Sequence, residues 1–135
     1  MKKYFKLFGI LCVVIFGVYL LSPPYLFPSL AYFWLNDNAL EKSDTEFRNS
    51  EKDKWKDTNL RVYPIFKTKV GARLYHIGSY DKYGRRYEIA YLKGAEPIKT
   101  CKPSLLFSEE KFFKCDIPLS DGWSINYESM LNNAP

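Results

Sequence analysis

The chain has 135 residues, 47% of them hydrophobic, with a formal charge of +5 and three cysteines. Three of its twenty basic residues are Lys2, Lys3 and Lys6, and all fifteen acidic ones lie beyond Leu35, so the remainder is close to balance. That balance argues against a nucleic-acid-binding protein, and the length leaves room for one small domain.

The N-terminal segment comes first. Leu7 to Leu21 is an unbroken apolar run behind Lys2, Lys3 and Lys6, and no charge appears before Asp37. Basic residues before the run and acidic ones after it predict a single-pass signal-anchor with a cytoplasmic N-terminus and everything later extracytoplasmic. The strictly apolar part is shorter than the roughly 20 residues that span a bilayer core, but uncharged residues extend it on both sides. Pro23, Pro24 and Pro28 predict that the helix ends near Ser22, because proline removes a backbone donor and clashes with the preceding turn. Tyr25, Phe27, Tyr32, Phe33 and Trp34 then read as an interfacial aromatic stretch at headgroup level. The competing reading is a signal peptide cut after Ala31, where Ser29 and Ala31 supply the small residues such cleavage requires. Cys12 lies inside the apolar run behind Ile10 and Leu11, which does not fit a lipoprotein signal. The expected division is therefore residues 1–35 for the cytoplasmic tip, anchor and interfacial segment, and 36–135 for an extracytoplasmic domain.

Within that domain Asn36, Asp37 and Asn38 are N-cap candidates, and a charged helix is expected from Ala39 to Lys56. Leu40, Phe47 and Trp55 form its narrow apolar stripe, with the pairs Lys42–Glu46 and Asp53–Lys56 at helical spacing. From Arg61 the texture becomes β. Strands are expected over Arg61–Val70, where Pro64 marks an edge or bulge, and over Ala72–Ser79 and Arg85–Lys93. Tyr80 to Gly84 reads as a hairpin turn, with Gly84 free to take a positive φ. In the third run Tyr87, Ile89 and Tyr91 share one face, and Glu88, Ala90 and Leu92 the other.

After a turn at Gly94–Pro97, Ile98–Lys102 and Lys111–Ile117 read as short strands flanking the loop Pro103–Glu110. Cys101 and Cys115 fall within these strands and are expected to pair, since two cysteines in an oxidising compartment most simply form a disulfide. Asp121, Gly122 and Trp123 make a turn before a last strand or short helix, Ser124–Leu131. The fold class is α+β: an anchor helix, then one helix and an antiparallel meander of about four to six strands.

No catalytic residue, cofactor or metal site is expected. His76 is the sole histidine and shares a strand face with Ala72 and Leu74, the setting of a packed imidazole. Zinc would need more ligands than it and the cysteines supply. No serine sits in a nucleophile motif, the Glu109–Glu110 carboxylates point apart on a strand, and the glycines are scattered singly. Two constellations point instead to binding. Tyr80, Lys82, Tyr83, Arg85 and Arg86 crowd a hairpin tip with residue types prominent at interface hot spots. Leu105, Leu106 and Phe107 sit on the disulfide-restrained loop, and they either anchor a partner, if exposed, or plug one end of the sheet.

The expectation is an inner (plasma) membrane protein displaying a binding domain to the periplasm. Its partners are the membrane and an envelope protein, with no nucleic acid, and its plan is that of an inhibitor or immunity protein. The alternative is an accessory structural subunit of an envelope secretion, division or transport complex.

Overall fold

The computed structural model describes residues 1–50, 71–95 and 99–132, together with the backbone of Lys54–Trp55 and Ile65–Lys67. Two helices, α1 (Lys2–Leu21) and α2 (Leu26–Asn49), precede an antiparallel sheet. Its strands are β1 (Lys54–Trp55), β2 (Ile65–Lys67), β3 (Arg73–Lys82), β4 (Arg85–Lys93), β5 (Phe112–Pro118) and β6 (Trp123–Leu131). The class is α+β. The sheet order β1-β2-β3-β4-β6-β5 follows the chain with one exchange: the chain lays down β5 at the edge, then returns β6 between β4 and β5.

α1 is a helix of 20 residues with a mean hydropathy of 2.2, long and apolar enough to cross a membrane, and none of it is buried in the protein. It ends at Ser22, as the prolines require. The aromatic stretch that follows is largely helical, because α2 begins at Leu26, well before Asn36. Pro28 occupies its first turn, where a missing N–H costs nothing because that donor has no helical acceptor. The cap signal at Asn36–Asn38 marks a kink. Asn36 leaves helical geometry at φ −127° and ψ 17°, its side chain donates to the Tyr32 carbonyl at 2.9 Å, and the helix resumes beyond it. α2 ends at Asn49 with Ser50 bonded back to Phe47, so the expected continuation to Lys56 is cut short and Trp55 falls in β1. The side chain of Trp55, the Asp53–Lys56 pair, Arg61–Pro64 and Ile98 lie outside the described residues.

The buried face of α2 runs through Ser29, Phe33, Leu40, Ser43, Asp44 and Phe47. It packs on the inner face of the sheet, where Tyr75, Tyr87, Ile89, Tyr91, Phe113, Cys115, Trp123, Ile125 and Tyr127 form the core. Fully burying an aromatic or leucine side chain is worth about 1.5–3 kcal/mol each. Phe33 packs against Tyr91 and edge-on to Trp123, and the Tyr91 hydroxyl donates to the Ser29 carbonyl at 2.5 Å. The stretch 25–33 thus packs on the domain through Ser29 and Phe33, while Tyr25 and Phe27 keep exposed rings.

Polar anchors fix the second half of α2. Arg73 clamps Asp44 through Nε–Oδ1 at 2.8 Å and NH2–Oδ2 at 2.9 Å, and Tyr75 donates to Oδ1 at 2.7 Å. Glu41 Oε2 accepts from the Trp123 indole at 2.8 Å and from Lys93 at 3.0 Å, while Lys93 also reaches the Asp121 carbonyl. The disulfide Cys101–Cys115 is present and ties the loop after β4 to β5. Of the strand expected at Ile98–Lys102, the described residues 99–102 hold a parallel bridge, Thr100 to Asp116, and the following loop winds into a 3-10 turn over Pro103–Phe107.

Candidate partner-binding surfaces

The tip of the β3–β4 hairpin is a two-residue turn, narrower than the expected Tyr80–Gly84. Tyr83 and Gly84 take φ of 50° and 72°, the mirror-image turn whose twist matches paired strands. A bulky residue at positive φ is unusual, and Tyr83 holds it at a place where its hydroxyl donates to the Leu20 carbonyl at 2.8 Å. Beside it the Lys82 ammonium donates to the Tyr19 and Ser22 carbonyls at 3.0 and 2.7 Å. These are the last carbonyls of α1, left without helical partners and carrying the negative end of its dipole. Desolvation against the helix end pushes the Lys82 pKa down. Tyr80 stacks on Tyr25 at 4.5 Å between centroids. Three of the five hairpin residues are therefore engaged in holding the end of α1 and the start of α2.

Arg85 is 1% exposed. Its guanidinium lies over the Phe113 ring at 4.6 Å, and it donates to Ser129 Oγ and to the carbonyls of Ser108 and Glu110 at 2.8–2.9 Å. It meets no carboxylate among the described residues, and it clamps the loop after the 3-10 turn from beneath. Of the three loop residues, Leu106 is buried in the core, Leu105 is partly buried against it, and Phe107 stands outward, stacked on Tyr83 at 5.1 Å. Glu109 and Glu110 are exposed.

Arg86 points to the opposite, outer face of the sheet, and it heads a set of cross-strand rows. Arg86, Met130 and Phe112 lie side by side on β4, β6 and β5, and Glu88, Glu128 and Lys114 form the next row. Arg86, Met130, Phe112 and Lys114 are exposed, whereas Ala90 and Asp116, one row further on, are buried. A groove of about 290 Å³ opens between the first two rows. Glu88 stands directly opposite Glu128, a like-charge pairing that destabilises a bare sheet. Each carboxylate has its own compensation. Lys114 pairs with Glu128 at 2.7 Å. Glu88 Oε2 accepts from Ser79 Oγ at 2.6 Å and lies 2.9 Å from His76 Nε2, with Arg86 3.5 Å from Oε1. Burial raises the Glu88 pKa, but the bonds from Ser79 and His76 outweigh it and hold the carboxyl below the usual range.

His76 and Ser79 reach one carboxylate because β3 carries a bulge between His76 and Gly78. Three residues apart on a regular strand they would face opposite ways, but the extra residue restores them to one face. Gly78 within the strand was the signal for it. Ser79 gives its proton to Glu88 and not to the imidazole, so the trio is a hydrogen-bonded carboxylate rather than a nucleophile with its base. Among the described residues no group of three His, Cys, Asp or Glu side chains is arranged to hold a metal ion. Comparisons with protein-family models, curated proteins and solved structures return no match.

Proposed function

We propose that the chain is a membrane-anchored extracytoplasmic binding domain that neutralises a protein partner, on the plan of an inhibitor or immunity protein. α1 serves as an uncleaved, single-pass anchor in the inner (plasma) membrane with its N-terminus in the cytoplasm. Lysines on one side of α1 and a disulfide on the other support that orientation. Cleavage after Ala31 would sever α2 inside its packed segment, losing the Tyr25–Tyr80 stack and the bond from Tyr91 to Ser29, which favours retention.

The binding reading is carried by one observation: Glu88 faces Glu128 on an exposed part of the sheet, beside Met130 and Phe112. An exposed apolar pair beside carboxylates that are already paired suits a protein surface that presents an aliphatic or aromatic side chain within a polar rim. Arg86 borders this surface. The test is affinity capture with the full-length protein in detergent, beside the variants E88Q/E128Q and M130D. Loss of the captured protein from both variants, with melting unchanged, supports the reading. Capture that survives both sinks it.

A second reading, an accessory subunit of an envelope complex, is favoured by the grip of Lys82 and Tyr83 on the end of α1, which couples the domain to the helix. Exchanging α1 for an unrelated apolar helix separates the two. Capture lost on that exchange but kept in the face variants belongs to the membrane complex.

A further inference from the structure

We infer that the foot of the domain is itself a membrane-contacting surface, seated in the headgroup layer of the bilayer that α1 crosses. This rests on the reading of α1 as an anchor.

The residues around the last turn of α1 carry the inference. Tyr83 is 45% exposed while its hydroxyl holds the Leu20 carbonyl, so its ring lies at the level where α1 ends. Phe107 stacks on that ring and is 60% exposed, one ring further out along the same surface. Phe27 and Tyr25, also exposed, stand at the start of α2 beside Tyr19 and Lys82. On another side of the junction an apolar cavity of about 410 Å³ opens between Val18 and Leu21 of α1 and Pro103 and Ile117 of the domain. The foot is thus largely apolar and aromatic where it adjoins the helix, with Asp81, Lys82 and Lys102 as the charged residues at the junction. Aromatic rings are enriched at bilayer interfaces, where a ring meets both hydrocarbon and water.

The occupant follows from continuity. A surface held to the end of a spanning helix by two side-chain grips, across a connection of only Ser22 to Tyr25, has lipid as its nearest neighbour. The 3-10 turn that presents Phe107 is held by the disulfide at its base, by Leu106 in the core and by Arg85 beneath. Its aromatic side chain is therefore presented at little cost in ordering.

Photo-crosslinking tests this in the full-length protein, reconstituted in vesicles of phosphatidylcholine and phosphatidylglycerol. Phe107→p-benzoylphenylalanine is compared with the same replacement at Phe16, inside α1, and at Trp34, exposed on α2 away from the foot. Phe107 is exposed, so the replacement leaves the core untouched. The expected result is a phospholipid adduct at Phe107 approaching that at Phe16 and several times that at Trp34, read by mass spectrometry. A lipid adduct at Phe16 with none at Phe107 overturns the inference alone, as does an adduct at Phe107 to protein or to a second copy of the chain. Absence of lipid at Phe16 overturns the anchor reading and the foot with it.

Discussion

Arg73 and Asp44 lie 29 residues apart and meet as a two-pronged ion pair, guanidinium to carboxylate at 2.8 and 2.9 Å, between β3 and α2. Both are buried, and Tyr75 donates to the same carboxylate, so the pair fixes how the second half of α2 sits on the sheet. Removing one partner leaves the other charge buried and uncompensated, which typically costs about 3–5 kcal/mol. D44N is expected to lose stability on that scale in denaturant unfolding of the full-length protein in detergent. The double variant D44L/R73M, which removes both charges, is expected to recover much of it. Equal loss in the single and double variants would show that the pair is not what holds α2.

Glu41 makes stability depend on acid. The Trp123 indole N–H lowers its pKa most, burial opposes this, and Lys93 lowers it further. A carboxyl with a lowered folded-state pKa stabilises above the unfolded value of about 4.3 and loses that contribution as pH falls through the folded value. The melting temperature of the native protein should therefore fall more steeply below that value than that of E41Q, the two converging at low pH. Parallel profiles would contradict the assignment. Glu88 is untouched in E41Q, so the difference reports Glu41.

The buried tyrosines set the alkaline limit. Burial raises the pKa of Tyr75, which the bond to Asp44 raises further, and burial also raises those of Tyr91 and Tyr127. A raised phenol pKa preserves stability up to the unfolded value of about 10, and that stability is then lost as the unfolded state ionises first. Absorbance titration should show Tyr75, Tyr91 and Tyr127 ionising only as the chain unfolds. Their ionisation before unfolding would mean that the core is open to solvent.

Tyr83 separates hairpin stability from anchor attachment. Asparagine tolerates positive φ better than tyrosine but lacks the hydroxyl that reaches Leu20. Y83N combined with K82A should leave the melting temperature nearly unchanged while freeing the domain from α1. Nitroxide labels at Val14 and Lys114, in a C12S background, should then give a broader distance distribution than in the parent. An unchanged distribution would show that the proline-containing connection alone sets the geometry.

The disulfide closes a loop of sequence separation 14. In the chain-entropy model such a closure stabilises by about 3 kcal/mol. C101S/C115S should lose stability of that order, and alkylation of denatured, unreduced protein should label Cys12 alone. Labelling of Cys101 and Cys115 before reduction would refute the pairing.

Where local chemistry decides, the sequence was legible. The apolar run of α1, the prolines that end it, the period-two alternation of Tyr87, Ile89 and Tyr91, and the pairing of Cys101 with Cys115 are written in composition and spacing, and all four appear in the fold. The α+β class followed from them. The extent of α2 did not, because Pro28 is harmless only if it falls in a first turn, and that is known only once Leu26, Ser29 and Phe33 are seen packed on the sheet. The exchange of β5 and β6 was hidden for a similar reason, since strand neighbours are chosen by long-range pairing rather than by order along the chain.

The candidate surfaces divide in the same way. Sequence alone marked the hairpin as rich in tyrosine and basic side chains, but only tertiary contacts turned Lys82 and Tyr83 toward α1, buried Arg85 beneath the loop and left Arg86 on the far face. A one-residue bulge reversed the facing of half of β3, so His76, Ser79 and Glu88 came together with no sequence pattern joining them. Residue type fixes what a side chain can bond to. Which of the available partners it meets is decided by packing, through the registers and crossings that only the folded chain supplies.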